Sequence, residues 1–164
     1  MKKIILLAIF AFGVSLATNA QTISENALGL RFGGGNGTGA EVSYQRALGD
    51  NNRLELDLGW RNDNNRYDAI KLVGLYQWVW NIEGGFNWYA GIGAGVGSVN
   101  YDDNRFDNRD DEVFILAAGN IGIEYNFDIP LLISLDFRPE FGFGDDDVYD
   151  AFSPDIALGL RYQF

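Results

Sequence analysis

The last eleven residues of the chain, Pro154–Phe164, alternate strictly between apolar and polar or small side chains. The apolar set is Ile156, Leu158, Leu160, Tyr162 and Phe164. A two-residue period places all of these side chains on one face of a β-strand. The strand therefore has one wholly apolar face and ends on an aromatic residue. The closing strand of a membrane β-barrel has such a face because that face meets lipid.

Seven further segments alternate in the same way, and most are near the 9–11 residues or so that a tilted membrane strand needs. The predicted strands are Ala27–Gly33, Ala40–Leu48, Arg53–Arg61, Tyr67–Ile82, Phe86–Asn100, Glu112–Phe127, Leu131–Gly144 and Pro154–Phe164. No segment after residue 20 has the sustained apolar period of an amphipathic helix. The sequence therefore predicts an all-β fold, an eight-stranded antiparallel up-and-down transmembrane β-barrel.

The first 20 residues have the pattern of a secretory signal peptide. A basic start, Met1-Lys2-Lys3, precedes an apolar run from Ile4 to Leu16 and the small-residue segment Ala17–Ala20. The apolar run is shorter than the roughly 20 residues that a membrane-spanning helix needs. We therefore predict a cleaved signal peptide at 1–20 and one barrel domain at 21–164.

The composition excludes several classes of function. The chain has no cysteine and no histidine, so it lacks thiolate chemistry and the commonest general base and metal ligand. It carries 23 acidic residues against 12 lysines and arginines, a formal net charge of −11. Nucleic-acid binding needs a basic surface, so this balance argues against it. We predict no enzymatic activity, no cofactor and no metal site.

The face of each strand opposite the apolar one carries acids and arginines in similar numbers, which suits ion pairing inside a barrel. The predicted lumen ion-pair network comprises Arg31, Glu41, Arg53, Glu55, Asp57, Arg61, Lys71, Glu124, Asp136, Arg138, Glu140 and Arg161. Eight strands enclose an interior just wide enough for side chains to fill. We therefore expect a plugged lumen, and a narrow porin is the alternative.

A soluble ligand-binding barrel of the lipocalin type is a second alternative, because it also has one apolar face, which points inward. Two features favour the membrane interpretation. The polar face of the fifth strand consists of Gly91, Gly93, Gly95 and Gly97, which leaves room for bulky side chains in a narrow lumen. The aromatic residues of the apolar face gather near the strand ends in two bands, as in the interfacial girdles of a membrane barrel.

The connections between the predicted strands alternate in length. Gly49–Asn52, Asn81–Gly85 and Asp128–Pro130 are short, whereas Tyr101–Asp111 and Asp145–Ser153 are long and acidic. Bacterial membrane barrels have short periplasmic turns and longer external loops. We therefore expect the acidic loops to face outward, toward lipopolysaccharide or a surface partner.

Two residues fit this scheme badly. Arg46 has the parity of the lipid-facing residues, but it lies beside a short turn, where its stem can reach the interface. Pro139 falls within the seventh strand and cannot donate a ladder hydrogen bond. We therefore expect a bulge or a local parity slip at Pro139.

The chain resembles the small eight-stranded outer-membrane barrels of the OmpA-barrel and OmpX type. The likeness is carried by Leu158–Phe164, the glycine-rich Trp88–Gly95, Ile123–Phe127 and Leu135–Pro139. The resemblance implies a location in the cell outer membrane, contact with its lipid and lipopolysaccharide, and a structural or surface-interaction role. It also implies that the barrel assembly machinery reads Leu160, Tyr162 and Phe164 as a C-terminal assembly signal.

Deletion of Phe164 is expected to reduce assembled, heat-modifiable protein in cells more than it lowers the stability of the barrel refolded in detergent. The reason is that the assembly signal needs this side chain, whereas one residue at a strand end adds little to the fold. The fraction of protein whose gel mobility changes on heating measures assembly. Gln163→Ala, on the opposite face of the same strand, is the control, and an equal loss in both variants would contradict the assigned signal.

Overall fold

The computed structural model describes residues 23–33, 39–63, 67–101, 112–143 and 152–164. Within the strands, the side chains of residues 61–69, 99–101 and 112 are outside this description. The predicted signal peptide at 1–20 and most of the two long acidic loops also lie outside the described residues. No helix in the described part of the chain is long and apolar enough to cross a membrane.

Eight strands pair in sequence order and close into a barrel. They are β1 (Asn26–Gly33), β2 (Gly39–Ala47), β3 (Asn52–Asp63), β4 (Tyr67–Glu83), β5 (Phe86–Tyr101), β6 (Glu112–Asn126), β7 (Leu131–Phe143) and β8 (Ser153–Gln163). Each neighbouring pair is antiparallel, and β1 pairs with both β2 and β8, so the sheet has no free edge. The predicted fold is confirmed, and the predicted strand boundaries agree with the observed ones to within two residues.

Both ends of the described chain lie at one end of the barrel, which we call the turn end, together with the short β2–β3, β4–β5 and β6–β7 turns. There, Asn26 and Phe164 exchange two backbone hydrogen bonds of 3.0 and 2.9 Å. The β4–β5 turn is shorter than predicted, because β4 continues to Glu83 and leaves a two-residue turn. Its first residue, Gly84, has a φ of 54°, which glycine adopts without steric strain. The opposite end is the loop end.

The strands are strongly tilted against the barrel axis. A path of paired residues leaves β7 at Leu131 and returns to it ten residues further on, at Phe141, after passing through Tyr162, Leu28, Tyr44, Leu56, Gly74, Ala94 and Ala117. With a rise of about 3.3 Å per residue and about 4.8 Å between strands, this stagger gives a tilt of about 40°. Eight strands at this tilt form a narrow cylinder whose interior side chains can fill.

The two faces of the barrel wall have opposite chemistry. Outward positions are aliphatic or aromatic and exposed, as with Ile92 and Ile156, which are each 63% exposed. Inward positions include four arginines that are 0% exposed, namely Arg31, Arg53, Arg138 and Arg161. A soluble barrel has the reverse arrangement, so the lipocalin-like alternative is wrong. The wall is that of a transmembrane barrel.

The glycines of β5 make room for large inward side chains of the neighbouring strands. A Cβ placed on Gly97 would lie 2.3 Å from the Phe114 ring of β6, and one on Gly91 would lie 2.8 Å from Gln77 of β4. The space is filled partly by apolar groups that the sequence analysis did not assign to the lumen: Val73, Leu75, Val79, Phe114 and Leu116 are all buried. The lumen therefore has an apolar side at β4–β6, which faces the charged strands.

The bulge or parity slip expected at Pro139 does not occur. Pro139 pairs with Pro154 across β7–β8, and the register is the same on both sides of this pair. Neither proline has an N–H, so the two residues form a non-hydrogen-bonded pair of the antiparallel ladder. On the β6 side, pairing is interrupted between Ala118↔Glu140 and Ile121↔Phe137 without a change of register. The proline therefore removes hydrogen bonds between β6 and β7 without changing the register of either pair of strands.

Aromatic side chains border the apolar band at both ends. The exposed Phe152, which directly precedes β8, and Tyr162 on β8 are ten residues apart, which at about 3.3 Å per residue and a tilt of about 40° is about 25 Å of height. The apolar band of a membrane barrel has about this height. At the turn end, Trp80 stacks on Trp88 with ring centroids 4.3 Å apart. Arg46 also lies there, outside the band, where it donates hydrogen bonds to Asn26 and Glu25.

Gly93→Ala is expected to lower the free energy of unfolding by about 1–3 kcal/mol, the usual range for overpacking. The added Cβ would lie 1.9 Å from the backbone oxygen of Gly74, which cannot move without disturbing the β4–β5 ladder. Gly74→Ala is the control, because its Cβ would point outward at 3.4 Å from Leu56. Urea unfolding of the refolded barrel in detergent measures both variants, and equal losses would contradict the packing assigned to β5.

Candidate functional site

The candidate site is the barrel lumen, where buried or partly buried charged side chains from seven of the eight strands meet. Eleven of the twelve side chains predicted for the lumen network lie there and form ion pairs. The twelfth, Arg61, belongs to β3, and its side chain lies outside the described residues. The pairs divide into a loop-end cluster and a turn-end cluster.

The loop-end cluster consists of Arg31, Glu41, Asp57, Lys71, Asp136, Arg138, Glu140 and Asp155. Arg31 of β1 is bound to carboxylates of three other strands. Its Nη1 lies 3.0 Å from Glu41 of β2 and 2.6 Å from Asp155 of β8, and its Nη2 lies 2.6 Å from Asp136 of β7. One guanidinium thus connects four strands across the β1–β8 closure, which the planar fork of arginine makes geometrically feasible.

Arg138 of β7 occupies an equivalent place in the same cluster. Its Nη1 donates to Asp57 of β3 at 2.8 Å, and its Nη2 donates to Glu41 at 2.6 Å. Its Nε lies 2.9 Å from Glu140, and Lys71 of β4 donates to both oxygens of the same carboxylate at 2.9 Å. These contacts link β7 to β2, β3 and β4 straight across the lumen.

The turn-end cluster contains two ion pairs. Arg53 Nη2 lies 2.8 Å from Glu124, and Arg161 Nη2 lies 3.2 Å from Glu55. Arg161 also donates to the hydroxyl groups of Ser43 and Ser134 at 2.9 and 2.8 Å.

A side chain of β5 completes the turn-end cluster. Tyr89 is fully buried, and its ring centroid lies 4.8 Å from Cζ of Arg53, a cation–π distance. A second neutral group, the amide of Gln45, donates to Glu55. The guanidinium and carboxylate groups of this cluster thus have polar or aromatic partners besides one another.

Two side-chain amides join the clusters. Arg53 donates through Nε to Gln77 at 2.6 Å, Gln77 donates to Asn120 at 2.8 Å, and Asn120 donates to Asp136 at 3.4 Å. Polar contacts therefore run without a break from Glu124 at the turn end to Lys71 near the loop end. This continuity braces the lumen along its whole described length.

The turn end of the lumen is lined by neutral amides. A cavity of about 20 Å³ lies there, between Asn87, Asn126 and Gln163 at the mouth and Arg53 and Glu124 at its floor. That volume holds about one water molecule. Gln163 donates to Asn126 at 2.7 Å, and Asn87 donates to Glu124 at 3.1 Å, so the rim is hydrogen-bonded to itself and to the cluster below it.

The predicted network omitted two ionisable residues of the site, Asp155 and Tyr89. Asp155 binds Arg31, and the inward parity of β8 that it shares with Arg161 could have identified it. Tyr89 has the same inward parity as Gly91, but the predicted network contained only charged side chains. The parity of each strand therefore carried both signals.

The predicted C-terminal signal residues are on the outside of the barrel. Leu160, Tyr162 and Phe164 are exposed along one face of the last strand, and the Tyr162 and Phe164 rings stack at 6.2 Å between centroids. They do not contribute to the lumen.

Comparisons with known proteins agree with this architecture. No protein-family model and no curated protein sequence matches the chain. The N-terminal β-barrel domain of OprF from Pseudomonas aeruginosa matches with a TM-score of 0.66 at 15% identity, over 86% of this chain and 98% of that chain. Neisserial surface protein A matches with a TM-score of 0.64 at 11% identity, over 85% and 94% of the two chains. The chain has the fold of the small eight-stranded outer-membrane β-barrels.

A third small outer-membrane barrel is also similar. Ail, the attachment invasion locus protein of Yersinia pestis, matches with a TM-score of 0.53 at 15% identity, over 86% of this chain and 97% of that chain. At these identities the likeness establishes the shared fold. The resemblance to OmpA-type and OmpX-type barrels is confirmed at that level, and the lumen contacts above belong to this barrel's own sequence.

Arg31→Ala is expected to lower the free energy of unfolding by about 3–5 kcal/mol, because it leaves three buried carboxylates without their shared partner. Arg46→Ala is the control. Arg46 also forms an ion pair, with Glu25 at 3.3 Å, but that pair is half-exposed, so the expected change is below about 1 kcal/mol. Urea unfolding in detergent compares the two, and similar losses would contradict the bracing role assigned to Arg31.

Proposed function

We propose that the protein is an integral outer-membrane barrel whose lumen is closed to ions and whose role is structural or exerted through its external loops. The observation that carries the proposal is the crossing of the lumen by Arg31 and Arg138. Arg31 contacts carboxylates on β2, β7 and β8, and Arg138 contacts carboxylates on β2, β3 and, at 3.6 Å, β8. Both arginines are fully buried. An ion would have to separate these pairs to pass, at a cost of several kcal/mol for each uncompensated charge.

The loops support a role at the cell surface. The segments 102–111 and 145–150 are strongly acidic in sequence, and the strands place their ends at the loop end of the barrel. An acidic surface suits a basic partner, or lipopolysaccharide reached through bridging divalent cations. Two proteins of the same fold carry names that place them in this class, a surface protein and an attachment protein. For this chain, such a role is part of the proposal.

A catalytic role has less support. The chain lacks histidine and cysteine, and the lumen carboxylates are bound to guanidinium or ammonium groups. A general acid or base needs a carboxyl group that can reach a substrate and exchange a proton with it. We therefore propose that the protein is not an enzyme, that it needs no cofactor, and that its other partner is the barrel assembly machinery, which binds it during insertion.

Planar-bilayer recording tests the closed lumen. The refolded protein is expected to give no stable conductance steps, because paired side chains fill the lumen. A heat-dependent gel shift of the same preparation shows that the barrel is folded. An unfolded sample would also give no conductance, but it would show no such shift. Frequent steps of uniform size would overturn the proposal and favour the narrow porin.

A further inference from the structure

The charges of the described lumen do not balance. It contains seven carboxylates, namely Glu41, Glu55, Asp57, Glu124, Asp136, Glu140 and Asp155. It contains five cations, namely Arg31, Arg53, Lys71, Arg138 and Arg161. Arg61, whose side chain is outside the description, can neutralise at most one of the two extra negative charges. Among the described side chains of the lumen, carboxylates therefore outnumber cations.

The excess lies in the loop-end cluster. The turn-end cluster pairs two carboxylates with two arginines. The loop-end cluster holds five carboxylates against Arg31, Lys71 and Arg138. An unmatched charge buried in a narrow, filled lumen is strongly unfavourable, so a further positive charge would stabilise the folded barrel there.

Within the loop-end cluster, Asp57 is the carboxyl group with the fewest donors among those sealed from solvent. Its Oδ2 accepts one hydrogen bond, from Arg138 at 2.8 Å, while its Oδ1 is buried without a hydrogen-bond partner. Asp136, by contrast, accepts from Arg31 through both oxygens and from Asn120 as well. Asp155 also has one oxygen without a partner, but its side chain is 12% exposed and that of Asp57 is 0% exposed.

The neighbours of Asp57 add to this imbalance. Glu41 on β2 and Glu55 on β3 are the nearby acids, and Arg138 on β7 and Arg161 on β8 are the nearby bases. Both arginines are shared, because Arg138 also binds Glu41 and Arg161 binds Glu55. Asp57 on β3 thus shares each of its two nearby cations with another carboxylate.

We propose that Asp57 carries a proton in the folded barrel at neutral pH, so that the loop-end cluster is a proton-binding site. A proton occupies no extra volume, which suits a lumen filled by side chains. A metal ion would need several converging ligands, and no group of three or more acidic side chains among the described residues is arranged to hold one.

The proposal predicts how stability depends on pH. In the unfolded chain Asp57 is in water, where an aspartate is ionised at pH 7. Folding then takes up a proton, so the unfolded state binds fewer protons than the folded state and stability falls as pH rises. The fall continues until the folded barrel also releases the proton, after which Asp57 contributes no further pH dependence.

Asp57→Asn tests this, because asparagine has the shape of a neutral aspartic acid. Urea midpoints of the purified, refolded mature protein in detergent are compared at about pH 5 and about pH 9, on one side and the other of neutrality. The variant is expected to have a midpoint at least as high as the wild type at both values, and its advantage should grow at the higher pH. A midpoint below the wild type at both values would overturn the proposal.

Asp136→Asn is the matched control, because Asp136 is a fully ion-paired carboxylate of the same cluster. It is expected to lower the midpoint at both pH values. Infrared spectra provide a second readout that does not depend on stability. The wild type should show the carbonyl band of a neutral carboxyl group, and this band should be missing from Asp57→Asn. Absence of the band from the wild type at neutral pH would also overturn the proposal.

The identity of the extra charge is tested by replacing sodium with potassium or with a large organic cation at constant ionic strength. A bound proton predicts the same wild-type midpoint in all three salts. A wild-type midpoint that changes with the cation, while that of Asp57→Asn does not, would show a bound metal cation in place of the proton.

Discussion

The structure depends on guanidinium–carboxylate pairs that cross a lumen filled by side chains. A closed barrel satisfies its backbone groups through the strand ladders, so the bilayer imposes no further cost on the wall. The interior is different, because each buried charge needs a partner on another strand. Arg31 meets this requirement by binding carboxylates on β2, β7 and β8, and so its pairs also hold together the β1–β8 closure. Removal of any one charged side chain would leave its buried partners unpaired. The contributions of these side chains to stability are therefore coupled to one another.

The arginines can reach their partners because inward positions of β5, on the opposite side of the lumen, carry no side chain. β5 contributes glycines at Gly91, Gly93, Gly95 and Gly97, and the buried side chains beside them on β4 and β6 are mostly aliphatic or aromatic. The charged half of the lumen is thus packed against an apolar half. The ten-residue stagger of the strands gives the barrel the narrow diameter that brings the two halves into contact. The glycines of β5 thus provide space in the lumen, and the arginines of β1, β3, β7 and β8 need that space.

Strand parity predicts which side chains face the lumen and which face outward. It does not predict the contacts that the lumen side chains make with one another. A membrane wall needs one wholly apolar face, so Leu158 and Leu160 identify the outside and Arg161 the inside from sequence. Parity does not say which cation meets which acid, because Arg31 and Asp136 are 105 residues apart and their contact depends on barrel closure. Pro139 was expected to disturb the strand, but Pro154 occupies the facing position, and one sequence segment cannot reveal that pairing.

The distribution of charge gives the two ends of the molecule different electrostatic character. Near the turn end, Arg53 and Arg161 match Glu55 and Glu124, and neutral amides line the mouth. Toward the loop end, carboxylates outnumber cations, and the connections that leave that end are acidic in sequence. The proposed proton on Asp57 offsets part of the lumen excess, so the negative potential at this end arises mainly from the acidic connections. Under the proposed surface role, a partner that approaches the loop end is attracted when it is basic or carries divalent cations.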